Sequence, residues 1–178
     1  GKSTLVNIIC GVLQPTSGDI LFEGRSLDGR APSARLRTGI ARTFQNIRLF
    51  GGLTVWQNLW VAGNSTEDIK SQSIVSRWIG TSTRLKKEIE VMLEFSDLAD
   101  KADVLASNLA FGEQRRLELA RAIAAKPRLL LLDEPAAGMN QAEVGELEKR
   151  LRSLRKQGMT IVLVEHVMQL VMGVTDRI

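Results

Sequence analysis

The chain offers almost nothing for soft-metal or redox chemistry. Its 178 residues include one cysteine, Cys10, and one histidine, His166. A Cys/His zinc cluster, an iron-sulfur site and a disulfide framework are therefore excluded within it, and any hydrolysis must run on other groups. No apolar run approaches the roughly 18 to 20 residues of a helical membrane span, and no signal-peptide pattern opens the chain. Long linkers, low-complexity tracts and internal repeats are missing too. These absences predict a compact polypeptide of cytosolic type. What is there agrees: 44% hydrophobic and 25% charged residues are the composition of a globular protein. At this length one core should bury roughly 70% of the unfolded surface without a staple.

The charge is uneven. Residues 1 to 61 carry seven Lys/Arg against three Asp/Glu, while the remainder is balanced at seventeen each. Without a cluster of basic residues this excess is weak evidence for nucleic acid, anionic lipid or a phosphorylated ligand, and a solvated face is the better reading.

The apolar pattern from Lys2 to Cys10 (Leu5, Val6, Ile8, Ile9) before Gly11 predicts a helix closed by a left-handed residue. A short strand at Asp19 to Phe22 follows, then a Glu23-Gly24 turn, a short helix around Arg35 and a strand at Ile40 to Phe44 ending at Gln45. Helices are predicted over Thr54 to Ala62, Arg84 to Phe95 and Gly112 to Ala125. The last turns Leu117, Ala120, Ile123 and Ala124 inward, with Arg115, Arg116 and Glu118 toward water. Leu129 to Leu132 is apolar on both faces, as a strand inside a parallel sheet must be, and Asp133-Glu134-Pro135 follows it. Asn140 and Glu143 form a reciprocal cap for a helix with Val144, Leu147, Leu151 and Leu154 buried. Ile161 to Val164 reads as a second buried strand ending at Glu165-His166. Strands alternating with helices predict an α/β sheet with its chemistry at the carboxyl edge.

Gly1-Lys2-Ser3-Thr4 entering a helix matches the second half of a phosphate-binding loop, where backbone N–H groups and a lysine cradle phosphates. Alone, four residues also fit an unremarkable exposed terminus. Asp133-Glu134 at a strand end delivers two carboxylates where metal and water would sit, or caps the next turn. Leu109-Ala110-Phe111-Gly112-Glu113-Gln114-Arg115-Arg116 lies one helix before them. Gln45 after a strand, Ala137-Gly138-Met139-Asn140 after the acidic pair, and His166 after the next strand complete the series.

In this order the motifs resemble the ATP-binding cassette (ABC) proteins from Gly1 to Ile178. The stretches Ala41 to Phe50, Asp133 to Asn140 and Glu165 to Met168 look like the ATP-binding subunits of branched-chain amino acid importers, whose wording related importers share. The resemblance implies a P-loop NTPase core with a mostly parallel sheet and a helical subdomain inserted at about 54–125. It implies ATP and Mg²⁺ as cofactors. Lys2 would hold the β- and γ-phosphates, Ser3 would ligate the metal, Thr4 would hydrogen-bond nearer the α-phosphate, and Gly1 would belong to the nucleotide-binding loop. Asp133 would bind the metal through its solvation shell, Glu134 would orient or deprotonate the attacking water, Gln45 would touch metal and water, and His166 would sense the γ-phosphate. Without that context a lone histidine is by default a satisfied core or surface residue.

In the family the signature of one subunit covers the ATP of another, which assigns Leu109, Ala110, Phe111, Gly112, Glu113 and Gln114 to nucleotide in trans. Here Ala110 replaces the usual serine, Phe111 the usual first glycine, and Met139-Asn140 the usual Leu-Asp. Phe50, Leu49, Trp56 and Trp60 fit either a groove for a membrane partner or ordinary core, and Arg48 is the better contact candidate. The implied partners are a second cassette subunit, transmembrane permeases and, indirectly, a solute-binding protein, at the cytoplasmic face of the inner membrane, with no nucleic acid. A soluble ABC protein acting on nucleic acid or ribosomes is the second reading, and its usual coiled-coil insertion or second cassette is not visible. The family also places an adenine-stacking aromatic and a strand before Gly1 and more strands after Ile178. The chain as it stands is therefore expected to bind nucleotide poorly and to expose a sheet edge.

Overall fold

The computed structural model describes residues 1–43, 47–64 and 83–178. The chain divides into two compact units, one formed by residues 1–46 and 127–178, the other by residues 47–126.

In the first unit, helix α1 (Lys2–Ile9) buries Val6 and ends at Gly11, whose φ is +77°. Only glycine suits this position. A Cβ there would sit 2.8 Å from Arg35 Nε and 3.0 Å from the Arg30 carbonyl oxygen. The close approach has a purpose, because Arg35 Nη1 donates to the carbonyls of Ile8 at 2.6 Å and Ile9 at 2.9 Å. A buried guanidinium thus satisfies the orphan carbonyls at the negative end of α1. Strands β1 (Leu21–Phe22) and β2 (Arg25–Ser26) pair antiparallel across Glu23-Gly24, both at positive φ, the geometry a two-residue hairpin needs. Helix α2 (Pro32–Arg37) carries Arg35.

Strands β3 (Ile40–Arg42), β4 (Leu129–Asp133) and β5 (Thr160–Val164) form a parallel sheet in the order β3-β4-β5. The register sets Arg42 against Leu131 and Asp133 against Val164, so all three chains leave the sheet at the same edge. Val6, Leu27, Ile40, Leu131 and Val164 make the core beneath that edge. β4 is buried as its four leucines predict. The expectation that Ile161 to Val164 is equally buried is corrected: Val162 is 39% exposed and only Val164 is buried. As the outer strand of the described sheet, β5 is covered unevenly along its length. Helix α6 (Gln141–Lys156) has its predicted cap, with Asn140 Oδ1 accepting from Glu143 N at 3.0 Å and Glu143 Oε2 accepting from Asn140 N at 2.8 Å. Its four expected apolar residues are buried, and α7 (Met168–Val174) follows β5.

The second unit is helical. It holds α3 (Val55–Asn64), α4 (Thr83–Ser96) and α5 (Phe111–Ala124) around a core that includes Leu59, Trp60, Ile89, Leu93 and Leu117. Thr54 and Gln57 cap α3 reciprocally, at 2.9 Å and 3.2 Å. Trp60 therefore belongs to the core, and Trp56 and Leu49 pack on it partly buried. The sequence expectation that Arg115 and Glu118 face water is overturned. Both are buried, paired at 3.3 Å, with the Arg115 guanidinium 5.4 Å from the Phe111 ring centroid. Because α5 packs on both α3 and α4, its covered sector is wider than its apolar stripe, and the two ions enter it as a hydrogen-bonded pair.

Candidate functional site

The carboxyl edge of the parallel sheet gathers the residues of the Gly1 to Thr4 motif, the acidic pair Asp133-Glu134 and His166. Asp133 closes β4 and is 3% exposed; its Oδ1 lies 3.5 Å from the Ser3 hydroxyl on the first turn of α1. Lys2 stands exposed at that helix start, and the Gly1 nitrogen donates to Thr4 Oγ1 at 3.4 Å. The first intrahelical bond runs from Leu5 N to the Gly1 carbonyl, which leaves the earlier N–H groups of α1 without an acceptor in the helix. Positive helix end, ammonium and hydroxyls together make an anion site.

Glu134 adopts φ +51°, a strained conformation for a residue with a side chain, fixed by its N–H donating to the Val164 carbonyl at 2.8 Å. The turn carries its carboxylate off the strand line toward His166, whose Nε2 lies 3.1 Å from Glu134 Oε1. With Nε2 protonated the imidazole donates to the carboxylate. His166 is not a core residue: its side chain is 67% exposed, and its ring reaches the candidate catalytic Glu134. Glu165, to which the motif reading gave no role, links the two loops. Its Oε1 accepts from Ala136 N at 2.9 Å, and its Oε2 accepts from His166 N at 2.6 Å and Val167 N at 3.1 Å.

Arg42 was missed as well. From the end of β3 it pairs with Asp133 Oδ2 at 3.0 Å and also donates to Asn7 Oδ1 on α1. An arginine at the end of the otherwise apolar strand Ile40-Ala41-Arg42 was the available signal. Cys10 lies near this guanidinium; burial pushes its thiol up, against the opposing pull of Arg42, so it is not poised as a nucleophile. Gln45 and Trp78 lie outside the described residues.

The donor set suits a hard divalent cation. A serine hydroxyl and a buried carboxylate meet at 3.5 Å beside a phosphate-type helix start, and magnesium takes one or two protein oxygens with phosphate and water. Among the described residues no group of three His, Cys, Asp or Glu side chains could hold a metal by itself.

In the helical unit, α5 begins at the Leu109 to Gln114 motif. Its first intrahelical bond runs from Gln114 N to the Ala110 carbonyl at 2.9 Å, so the N–H groups of Phe111, Gly112 and Glu113 have no acceptor within the helix. Leu109 is buried, Ala110 is exposed and Phe111 is 49% exposed. Glu113 folds back, its Oε2 accepting from Ala110 N at 3.0 Å and its Oε1 pairing with Lys101. That hydrogen bond to Lys101 is the main reason the Glu113 carboxyl sits below its ordinary range. Gln114 Nε2 donates to the Leu109 carbonyl at 2.9 Å. Arg121 ties the preceding segment to the same helix, donating to the Arg48 carbonyl at 2.6 Å and lying 4.7 Å from the Phe50 ring centroid.

A family model described as ABC transporter matches residues 1–137. The chain belongs to that family. The cassette is 41% identical over its whole length to the high-affinity branched-chain amino acid transport ATP-binding protein LivG of Escherichia coli K12, covering 71% of that protein. It is 38% identical, with the same coverage of both chains, to the corresponding protein BraF of Pseudomonas aeruginosa. Its fold matches the ADP conformation of an ATP-binding cassette of an ABC transporter with a TM-score of 0.79 at 27% identity, over 99% of this chain and 70% of that one. The ABC fold expected from the motifs, and the ATP-binding, nucleotide-hydrolysing family, thus stand together. Among the described residues no helix of the cassette is long and apolar enough to cross a membrane.

Proposed function

We propose that this chain hydrolyses ATP to drive import of branched-chain or related amino acids. The observation that carries the reading is the meeting of Ser3, Asp133, Glu134 and His166 at one sheet edge, with Ser3 and Asp133 at 3.5 Å and Glu134 and His166 at 3.1 Å. Resemblance to the amino acid importer subunits supports the cargo class. Lys2 and the N–H groups at the start of α1 hold the β- and γ-phosphates. Ser3 and Gln45 would hold Mg²⁺ directly and Asp133 through the metal's solvation shell, and the ion would supply charge neutralisation at the phosphates. Glu134 orients the attacking water and takes its proton as the oxygen bonds to the γ-phosphorus and the bond to ADP breaks. His166, held by Glu134 before the γ-phosphate arrives, exchanges that contact for one to phosphate.

Residues 109–114 of a second cassette subunit cover the bound nucleotide through the N–H groups at the start of its α5. The helical region at about 54–125 transmits closure to transmembrane permeases, which receive solute from a binding protein. The chain works peripherally at the cytoplasmic face of the inner membrane. Glu134→Gln in the complete subunit tests the assignment. Hydrolysis should fall by about 10²- to 10⁴-fold while ATP binding persists and a nucleotide-bound dimer accumulates on gel filtration. Turnover at the parent rate removes Glu134 from the mechanism. In vesicles with the permeases, labelled leucine uptake that requires internal ATP would support the cargo, and ATP-independent uptake would refute the coupling.

A further inference from the structure

We propose that Arg42 is a positioning residue for the Asp133 carboxylate, dividing its two oxygens so that one is presented to Ser3 and the metal-nucleotide; this rests on the reading of the site given above. Asp133 is nearly inaccessible, and a carboxylate taken from water needs a charge partner or hydrogen bonds. Arg42 supplies both. The two side chains are 10% and 4% exposed, with Nη2 3.0 Å from Oδ2. The sheet register explains the meeting: Arg42 stands against Leu131, so Asp133, two residues further along β4, is its diagonal neighbour on the same face. With Oδ2 engaged by arginine, Oδ1 is the oxygen nearer the Ser3 hydroxyl, at 3.5 Å.

The same guanidinium reaches helix α1. Nη1 donates to Asn7 Oδ1, and Asn7 lies four residues after Ser3, on the same helix face. One planar group therefore spans the helix that carries the candidate metal-binding hydroxyl and the strand that carries the candidate metal-binding carboxylate. Lysine could not replace it, because an ammonium on a flexible stem keeps the charge and loses the two-ended fork. A group that orients a metal-binding side chain through a hydrogen bond influences metal affinity without touching the metal.

The test uses the complete subunit, with Mn²⁺ as a paramagnetic probe and a non-hydrolysable ATP analogue. Free Mn²⁺ is titrated by electron paramagnetic resonance, and binding of a fluorescent ATP is measured separately in EDTA. Arg42→Met and Arg42→Lys should each weaken Mn²⁺ in the nucleotide complex by about 10- to 100-fold, with metal-free nucleotide affinity within about twofold of the parent. Adding Arg42→Met to Asp133→Asn should cost no further Mn²⁺ affinity, since both act through one carboxylate. Unchanged or tighter Mn²⁺ binding in Arg42→Met overturns the proposal. So do a parallel loss of metal-free nucleotide binding, which marks a merely structural role, and additive losses in the double variant. Should the Arg42 variants fail to fold, Asn7→Ala releases only the α1 end, and its Mn²⁺ affinity should fall in the same direction by less; no change there is equally fatal. A parent subunit that binds no nucleotide would overturn the site reading and this proposal with it, whereas parent binding with indifferent variants overturns this proposal alone.

Discussion

Helix α1 starts with an ammonium and two hydroxyls, Lys2, Ser3 and Thr4, whereas α5 starts with Phe111, Gly112 and Glu113 and has no hydroxyl in that turn. Their fastenings are reversed as well. α1 is held from behind, by the buried Arg35 on the carbonyls of Ile8 and Ile9. α5 is held at its start, by Glu113 on Ala110 N and on Lys101 and by Gln114 on the Leu109 carbonyl. The difference teaches what each end can do. The first offers charge and side-chain oxygens for phosphate and metal; the second offers backbone N–H groups, the helix dipole and an exposed aromatic ring.

Removing the rear fastening of α1 should produce the largest change. Arg35→Met would leave the partly buried carbonyls of Ile8 and Ile9, and that of Arg30, without their guanidinium donor and cost about 3 kcal/mol, read from urea unfolding. A loss below about 1 kcal/mol would mean the helix end is satisfied another way. A smaller effect is expected from giving α5 the hydroxyl it lacks. Ala110→Ser should raise the ATPase rate of the dimer by up to about tenfold if the motif meets phosphate in trans, and fall silent in a monomer. No change in the dimer would show that backbone groups alone suffice there.

The smallest effect concerns acid. Lys101 and the Ala110 N–H hold the Glu113 carboxyl below its ordinary 4.5, so its contribution to stability is present above that value. It is lost as pH falls through the lower value in the folded protein. Thermal unfolding followed from pH 6 to pH 3 should therefore show Glu113→Gln giving up slightly less stability on acidification than the parent. For so exposed a pair the gap is small, as for a surface ion pair. An equal or steeper acid loss in the variant would remove Glu113 from the fastening.

Much of the fold was legible because it repeats simple periods. Four leucines before an acidic pair define a buried parallel strand, and the Asn140 and Glu143 reciprocity marks where α6 begins. Less legible was the fate of the first third's basic excess. Two of its arginines face inward: Arg35 closes α1, and Arg42 pairs with Asp133. Composition counted them as surface charge because their partners are distant in sequence, 26 and 27 residues away for Arg35 and 91 for Arg42. Arg115 and Glu118 were misplaced for a related reason, since a helical wheel sees one apolar stripe and not the second neighbour that covers the adjoining face.

Within the candidate site, the sequence determined the residue types and their order: a lysine and hydroxyls entering a helix, two carboxylates leaving a strand, a histidine leaving the next. Those follow from local periodicity and motif spacing. Tertiary structure alone decided the pairings among them, the 3.1 Å contact of His166 with Glu134, the Glu165 carboxylate linking two loops, and the Arg42 fork between α1 and β4. The physical reason is that a buried charge takes its position from whichever partner the sheet register brings within hydrogen-bond reach, and register is a property of the assembled strands.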